Sequence, residues 1–318
     1  MKSKRLSYKK FINIVLIVSA LVYLLYRLLT FDSYSSFFVH FQSSSAIDYC
    51  ILLFALFLFP VNILLESVKW KYLLRDVETL SMKEAQRQVY YGCVGAFVTP
   101  NRLGEFPARA LLLHNDNKFA ESVTLGFVGS FALVCTIETI GISSVVYFFL
   151  HYLTGFSKRI VVLSVYILLV FCLILCLVYF PRIQLLFQNR MNGKTKRVFD
   201  AITNLGRSRF FHVCILSLLR YLVFSFQLYC VLYFCGVHLS LVQAMVSIPA
   251  YYALVSLMPS IPIADTIFRG SWAIAVFSFF TPNVAAVATA IILLWIINTV
   301  FPMLTGMLVK IHGNYRVG

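Results

Sequence analysis

Six runs of apolar residues, each 20 or more long, dominate this chain at about 11–30, 47–68, 120–151, 159–180, 209–236 and 284–311. A helix rises 1.5 Å per residue, so about 18–20 apolar residues cross the ~30 Å hydrocarbon layer of a bilayer. Charged residues make up 12% of the 318 positions, half the roughly 25% of a soluble domain. A water-soluble fold is therefore excluded, and the chain reads as an all-α, polytopic membrane protein in one transmembrane domain, residues 1–318.

The net charge of +15 is placed where a membrane protein needs it. With the N-terminus inside, the cytoplasmic side collects five Lys/Arg from 1–10, eight from 69–118, seven from 182–209, and Lys310 and Arg316, which is 22 of 27. Cytoplasmic loops carry this excess because they face anionic headgroups. Both termini are expected in the cytoplasm, 31–46 outside, and the location is the cytoplasmic (inner) membrane. The basic residues form short clusters between apolar runs with no nucleic-acid-binding motif, so nucleic acid is not an expected partner. The apolar run after Lys10 is longer than a signal-peptide core and carries Arg27, which favours an uncleaved first span. Eight cysteines lie in or beside apolar segments without a CxxC or Cys/His spacing, so neither a disulfide framework nor a metal is expected. No GxGxxG, Walker A, HExxH or GxSxG pattern occurs, and no cofactor is expected.

Two regions are too short or too broken to cross. Val89–Val98 is an apolar run of ten, followed by Thr99-Pro100-Asn101-Arg102-Leu103-Gly104-Glu105, a helix break with a new helix after it. Leu241–Met258 meets Pro259-Ser260-Ile261-Pro262 and is followed by a second short run, Ile267–Phe280. Both read as re-entrant hairpins; Leu241–Met258 could instead cross fully if Ile267–Phe280 crosses back. A shift of 159 lays Leu80, Ser81, Ala85 and Pro100 on Leu239, Ser240, Ala244 and Pro259. One further residue lays Glu105 and Arg109 on Asp265 and Arg269. The repeats would cover about 47–119 and 209–283, inverted because three spans separate them, an architecture found in transporters.

Backbone that is not helical at membrane depth must be buried or line a wet cavity. The break at 99–105 is thus a candidate cavity wall, with a half-helix from Gly104 offering its N–H groups to an anion such as a lipid phosphate and Arg102 adding a charge. Arg109 is one turn from Glu105 and can be held by it; the alternative is a cytoplasmic loop with an ordinary ion pair. Asp265 and Arg269 face the same choice between a cavity and an interfacial pair. Glu138 and Arg220 are charges near the middle of the third and fifth spans, at similar depth, where they could pair or touch substrate.

The stretch Thr99–Arg109 resembles a motif of the flippase-like transmembrane region of the lysylphosphatidylglycerol synthases, the multiple peptide resistance factors and their stand-alone relatives. That pattern is close to T-P-G-R-x-G-E followed by an arginine and a leucine-rich stretch, preceded by a tryptophan-bearing helix like Ser67–Leu74. The resemblance runs through nearly the whole chain in segment order. It implies a helical, non-enzymatic lipid translocase with two re-entrant elements, moving a phospholipid or polyprenyl-linked lipid between leaflets. By it, Arg102, Gly104, Glu105 and Arg109 would meet the headgroup, with Pro259, Asp265 and Arg269 in the second-motif region. Three departures stand out. Asn101 occupies the usual glycine position, Gly129-Ser130 an acid–arginine pair, and Pro259–Ala264 a glycine-rich second motif. Nor is there room before Gly318 for an aminoacyl-transfer domain, so lipid aminoacylation is not expected. The implied partners are membrane lipids, anionic ones above all, and a lipid-modifying enzyme. Two other classes stay open: an intramembrane enzyme with Glu138 or Asp265 as general base, and an accessory subunit of an envelope-synthesis complex.

Overall fold

The computed structural model describes residues 44–152, 193–257 and 265–311, with isolated positions 42 and 167. The expected spans at 11–30 and 159–180, and the break at Pro259–Pro262, lie outside the described residues. Among the described residues every regular element is helical. Long helices form where the apolar runs are, because a helix satisfies all its own backbone groups in lipid. These are α1 (Ala46–Leu74), α4 (Phe119–Tyr152), α6 (Gly206–Phe234), and α9 (Val284–Trp295), which continues through a π-turn at Ile296–Val300 into α10 (Phe301–Ile311). All four are long and apolar enough to cross a membrane.

Between α1 and α4 the chain makes a helical hairpin. Ser81 starts α2 (Met82–Val98) with a reciprocal capping box: its hydroxyl accepts from Glu84 N–H and the Glu84 carboxylate accepts from Ser81 N–H. The helix ends at Thr99, whose backbone is extended. The reversal follows at Asn101 and Arg102, both left-handed with φ of 50° and 58°. Asn is, after glycine, a residue that tolerates this region, since its short amide replaces the Cβ-clashing bulk of other side chains. Asparagine where the resembled motif has glycine is therefore a conservative change of backbone chemistry. Thr99 closes the turn, its hydroxyl donating to the Gly95 carbonyl (2.8 Å) and accepting from Gly104 N–H (2.7 Å). The short α3 (Glu105–Ala110) then runs back along α2. Contact is close because the facing positions lack side chains: a Cβ on Gly104 would meet the Gly95 carbonyl at 2.7 Å, and one on Gly92 would meet Arg109 Cγ at 2.7 Å.

A second hairpin pairs α7 (Leu241–Leu257) with α8 (Asp265–Phe277). Its first arm has a capping box of the same kind, Ser240 with Gln243. The two halves correspond in length as well as cap. Helices α1 and α6 each have 29 residues at an offset of 160, and α2 and α7 each have 17 at an offset of 159. Helices α1 and α6 pack antiparallel, Tyr49 beside Phe234 at one end and Tyr72 beside His212 at the other. Each hairpin leans on the closing span of the other half. Gly306 on α10 abuts the Tyr90 carbonyl of α2, and Gly141 on α4 abuts the Pro249 carbonyl and Ala253 of α7.

Short α5 (Lys194–Asn204) sits by the start of α4, Ala201 packing into the cluster that holds Leu125. The six described cysteines are all free.

Candidate functional site

The site begins on one face of α1. Asn62, Glu66 and Lys69 follow at i, i+4 and i+7, a spacing that stacks their side chains on one helix face, and all three are buried. Antiparallel packing brings Arg220 of α6 to that face, where Nε donates to Asn62 Oδ1 (2.7 Å) and Nη1 to Glu66 Oε2 (2.5 Å). Lys69 Nζ reaches the same carboxylate oxygen at 2.8 Å and the Gly129 carbonyl of α4 at 3.3 Å.

The first hairpin supplies the rest. Arg109 of α3 is only 1% exposed. Its Nη1 donates to Glu66 Oε1 (2.8 Å) and its Nη2 to Glu105 Oε1. The guanidinium carbon lies 5.2 Å from the centre of the Trp70 ring, within cation–π range. Trp70 in turn donates its indole N–H to Gln88 Oε1 of α2 at 2.7 Å, which fixes the ring. The remaining carboxylate oxygen of Glu105 accepts from Arg102 Nε at 3.0 Å. Arg102, at the hairpin tip, keeps 41% of its side chain exposed.

Two carboxylates, Glu66 and Glu105, are thus shared by four cations, Lys69, Arg102, Arg109 and Arg220. Among the described residues the cluster carries two positive charges in excess. Excess charge away from water is expensive unless a counter-charge arrives, and Arg109 Nε is a buried donor with no acceptor. Such a charge balance is complementary to an anion, and Arg102 is the most exposed of the four cations. No group of three or more His, Cys, Asp or Glu among the described residues is placed to hold a metal.

Of the residues expected from the sequence, Arg102, Glu105 and Arg109 come together in this cluster, and Arg109 is buried instead of lying in a surface loop. Gly104 has a different role from the one expected. Its N–H is taken by Thr99, and α3 is six residues long with Glu105 at its start. What Gly104 provides is the close approach of α3 to α2. The expected Glu138–Arg220 pair does not form either. Arg220 is held by Glu66 and Asn62, while Glu138 shares a hydrogen bond with the Ser256 hydroxyl. The reason is depth: Glu138 is nine residues beyond Gly129, about 13 Å further along α4 than the level at which Lys69 docks. Asp265 opens α8 and Arg269 follows one turn later, half-buried and close enough to Tyr252 for its charge to act there.

Asn62, Glu66 and Lys69 are site residues that the sequence reading does not single out, Lys69 entering it only through the cytoplasmic charge count. Their signal was present: an acid inside an apolar run, with polar partners at helical spacing on both sides.

A family model described as the lysylphosphatidylglycerol synthase TM region matches residues 11–306. No curated protein and no solved structure matches the chain.

Proposed function

We propose, from the premise that this chain belongs to the lysylphosphatidylglycerol synthase TM-region family, that it moves an anionic phospholipid or polyprenyl-linked lipid between leaflets. Membership in that family makes it a multi-pass membrane protein related to lipid modification or transport. The translocase reading rests on one observation above the others, the buried cluster with two positive charges in excess. A phosphate headgroup supplies the missing charge, and in a low-dielectric site each such attraction is far stronger than in water. Arg102 is the first contact, being exposed at the hairpin tip. Arg109 and Arg220 complete the neutralisation once the headgroup draws them from Glu105 and Glu66. In the proposed orientation, N-terminus and C-terminus in the cytoplasm, the headgroup arrives from the cytoplasmic leaflet, because the Lys/Arg-rich segments flank this end of the helices.

The test is leaflet exchange of fluorescent lipids in vesicles holding the purified protein. Wild type is expected to accelerate exchange of phosphatidylglycerol or a polyprenyl phosphate, and Arg102→Ala to reduce that acceleration about tenfold, the loss of one charge-assisted contact of about 1.5 kcal/mol. Equal rates for wild type and Arg102→Ala with every anionic lipid remove the headgroup site. No exchange above empty vesicles removes the translocase.

A further inference from the structure

Glu138 stands apart from the charge cluster, in the middle of α4, and is 8% exposed. No cation among the described residues pairs with it. The charged groups on the helices packed against α4 lie elsewhere or are engaged. Glu66 and Lys69 of α1, Glu105 and Arg109 of α3, and Arg220 of α6 form the cluster at the level of Gly129. Asp200 and Lys196 of α5 belong to a helix that sits by the start of α4. From α7 the titratable groups are Tyr251 and Tyr252, and Tyr252 donates to the Phe224 carbonyl at 3.1 Å. On α6, Tyr221 stacks edge-on against Phe224 and Tyr252.

The hydrogen bonds at Glu138 contain a proton count. Its Oε1 meets the Ser256 hydroxyl, in the last turn of α7. That same hydroxyl also makes a hydrogen bond of 3.1 Å with the Ala253 carbonyl. A hydroxyl owns one proton, and neither a carbonyl nor an ionised carboxylate can donate. Each contact is a full hydrogen bond when Glu138 carries the second proton, so that Glu138 O–H donates to Ser256 Oγ and Ser256 O–H donates to Ala253 O; an ionised Glu138 would have to share the one hydroxyl proton with the carbonyl in a weaker three-centre bond. Glu138 Oε2, buried without a partner, is then a neutral carbonyl oxygen and not part of an unpaired charge. An ionised Glu138 would leave Oε2 buried without a partner and a bare charge at membrane depth.

We infer that Glu138 is a proton-binding site which, through Ser256, links the protonation state of α4 to the position of the second hairpin and so couples lipid movement to a proton gradient. Release of the proton to either aqueous face leaves a carboxylate, and the Ser256 hydroxyl turns from Ala253 to Glu138. The contact is the one through which that hairpin leans on α4, where Gly141 abuts Ala253 and the Pro249 carbonyl. The proton site stands on the burial of Glu138 away from any described cation, with Oε2 unpartnered, and on these hydrogen bonds; the coupling rests on the translocase reading.

Infrared titration of the full chain in lipid nanodiscs tests the site. The wild-type minus Glu138→Gln difference spectrum at pH 7 is expected to show a carboxylic-acid C=O band, and in Ser256→Ala that band moves to the higher frequency of an acid without a hydrogen-bond acceptor. Glu138→Gln is expected to fold, since the amide donates to Ser256 as the acid does. A carboxylate band in place of the acid band at pH 7 overturns the site. For the coupling, an imposed gradient of one pH unit should shift the leaflet ratio of fluorescent phosphatidylglycerol up to about tenfold in wild type for one proton per lipid, and not at all in Glu138→Gln. Exchange that ignores the gradient in wild type overturns the coupling. An acid band without lipid exchange defeats the translocase reading and leaves the proton site standing.

Discussion

Glu66→Gln is the sharpest perturbation of the charge cluster, because three cations lose their shared anion while shape is kept. Arg109 and Lys69 each contact the Glu66 carboxylate at 2.8 Å and Arg220 contacts it at 2.5 Å, all with 17% or less of the side chain exposed. Removing one partner of a buried pair costs about 3–5 kcal/mol, mainly through the charge left behind. Here the excess rises from two to three, and only Glu105 remains to hold Arg109. The expected loss is about 3–5 kcal/mol, read as a shift in the unfolding midpoint in denaturant titrations of nanodisc or micelle samples. Adding Lys69→Met to Glu66→Gln removes one orphan cation and should recover part of that loss, a non-additivity that a double-mutant cycle measures. Adding anionic lipid should stabilise Glu66→Gln more than wild type, since the variant has more charge to neutralise. An unfolding midpoint within about 0.5 kcal/mol of wild type would falsify the view that Glu66 organises the cluster. Full additivity with Lys69→Met would show that the two residues act independently.

Three further expectations follow from the same geometry. Gly92→Ala places a methyl 2.7 Å from Arg109 Cγ and 3.0 Å from the Glu105 carbonyl, so it should destabilise by about 1–3 kcal/mol and slow lipid exchange. Gly270→Ala, with nothing within 4 Å of the new methyl, is the control, and equal effects of the two would discredit the close-packed hairpin. His114, in the loop after α3, has its pKa raised by its hydrogen bond with Glu78, the neighbouring Glu78 and Glu84 carboxylates adding to this. A raised pKa contributes stability that is full below the unfolded-state value near 6.5 and is lost as pH rises through the folded value. Thermal melts of wild type and His114→Gln should therefore differ more at pH 6 than at pH 8, and parallel pH profiles would rule this out. For the proposed orientation, a cysteine introduced as Lys194→Cys should be shielded from membrane-impermeant reagents in intact cells, and labelling from outside reverses the topology.

Much of this protein is legible along its length because a membrane imposes local rules. Backbone groups in lipid must be satisfied within a helix, so the apolar runs at 47–68, 120–151, 209–236 and 284–311 became α1, α4, α6 and α9–α10 with boundaries shifted by only a few residues at most ends. The hairpin break at Thr99–Glu105 was equally readable, since proline, asparagine and glycine act on their own φ and ψ. Pairing of charges is another matter. Glu66 and Arg220 are 154 residues apart, and Glu66 and Arg109 are 43 apart. Their meeting depends on the antiparallel register of α1 on α6 and on the glycines that seat α3 against α2. Similar depth by residue count put Glu138 opposite Arg220, yet Glu66 was nearer to that arginine by packing. Which segments are helical and where they break follows from neighbouring residues, because those choices are made within one or two turns. That Arg109 is buried, that two carboxylates answer four cations, and that Glu138 meets a hydroxyl and no cation among the described residues comes from the packing in three dimensions, because each depends on which helix faces which.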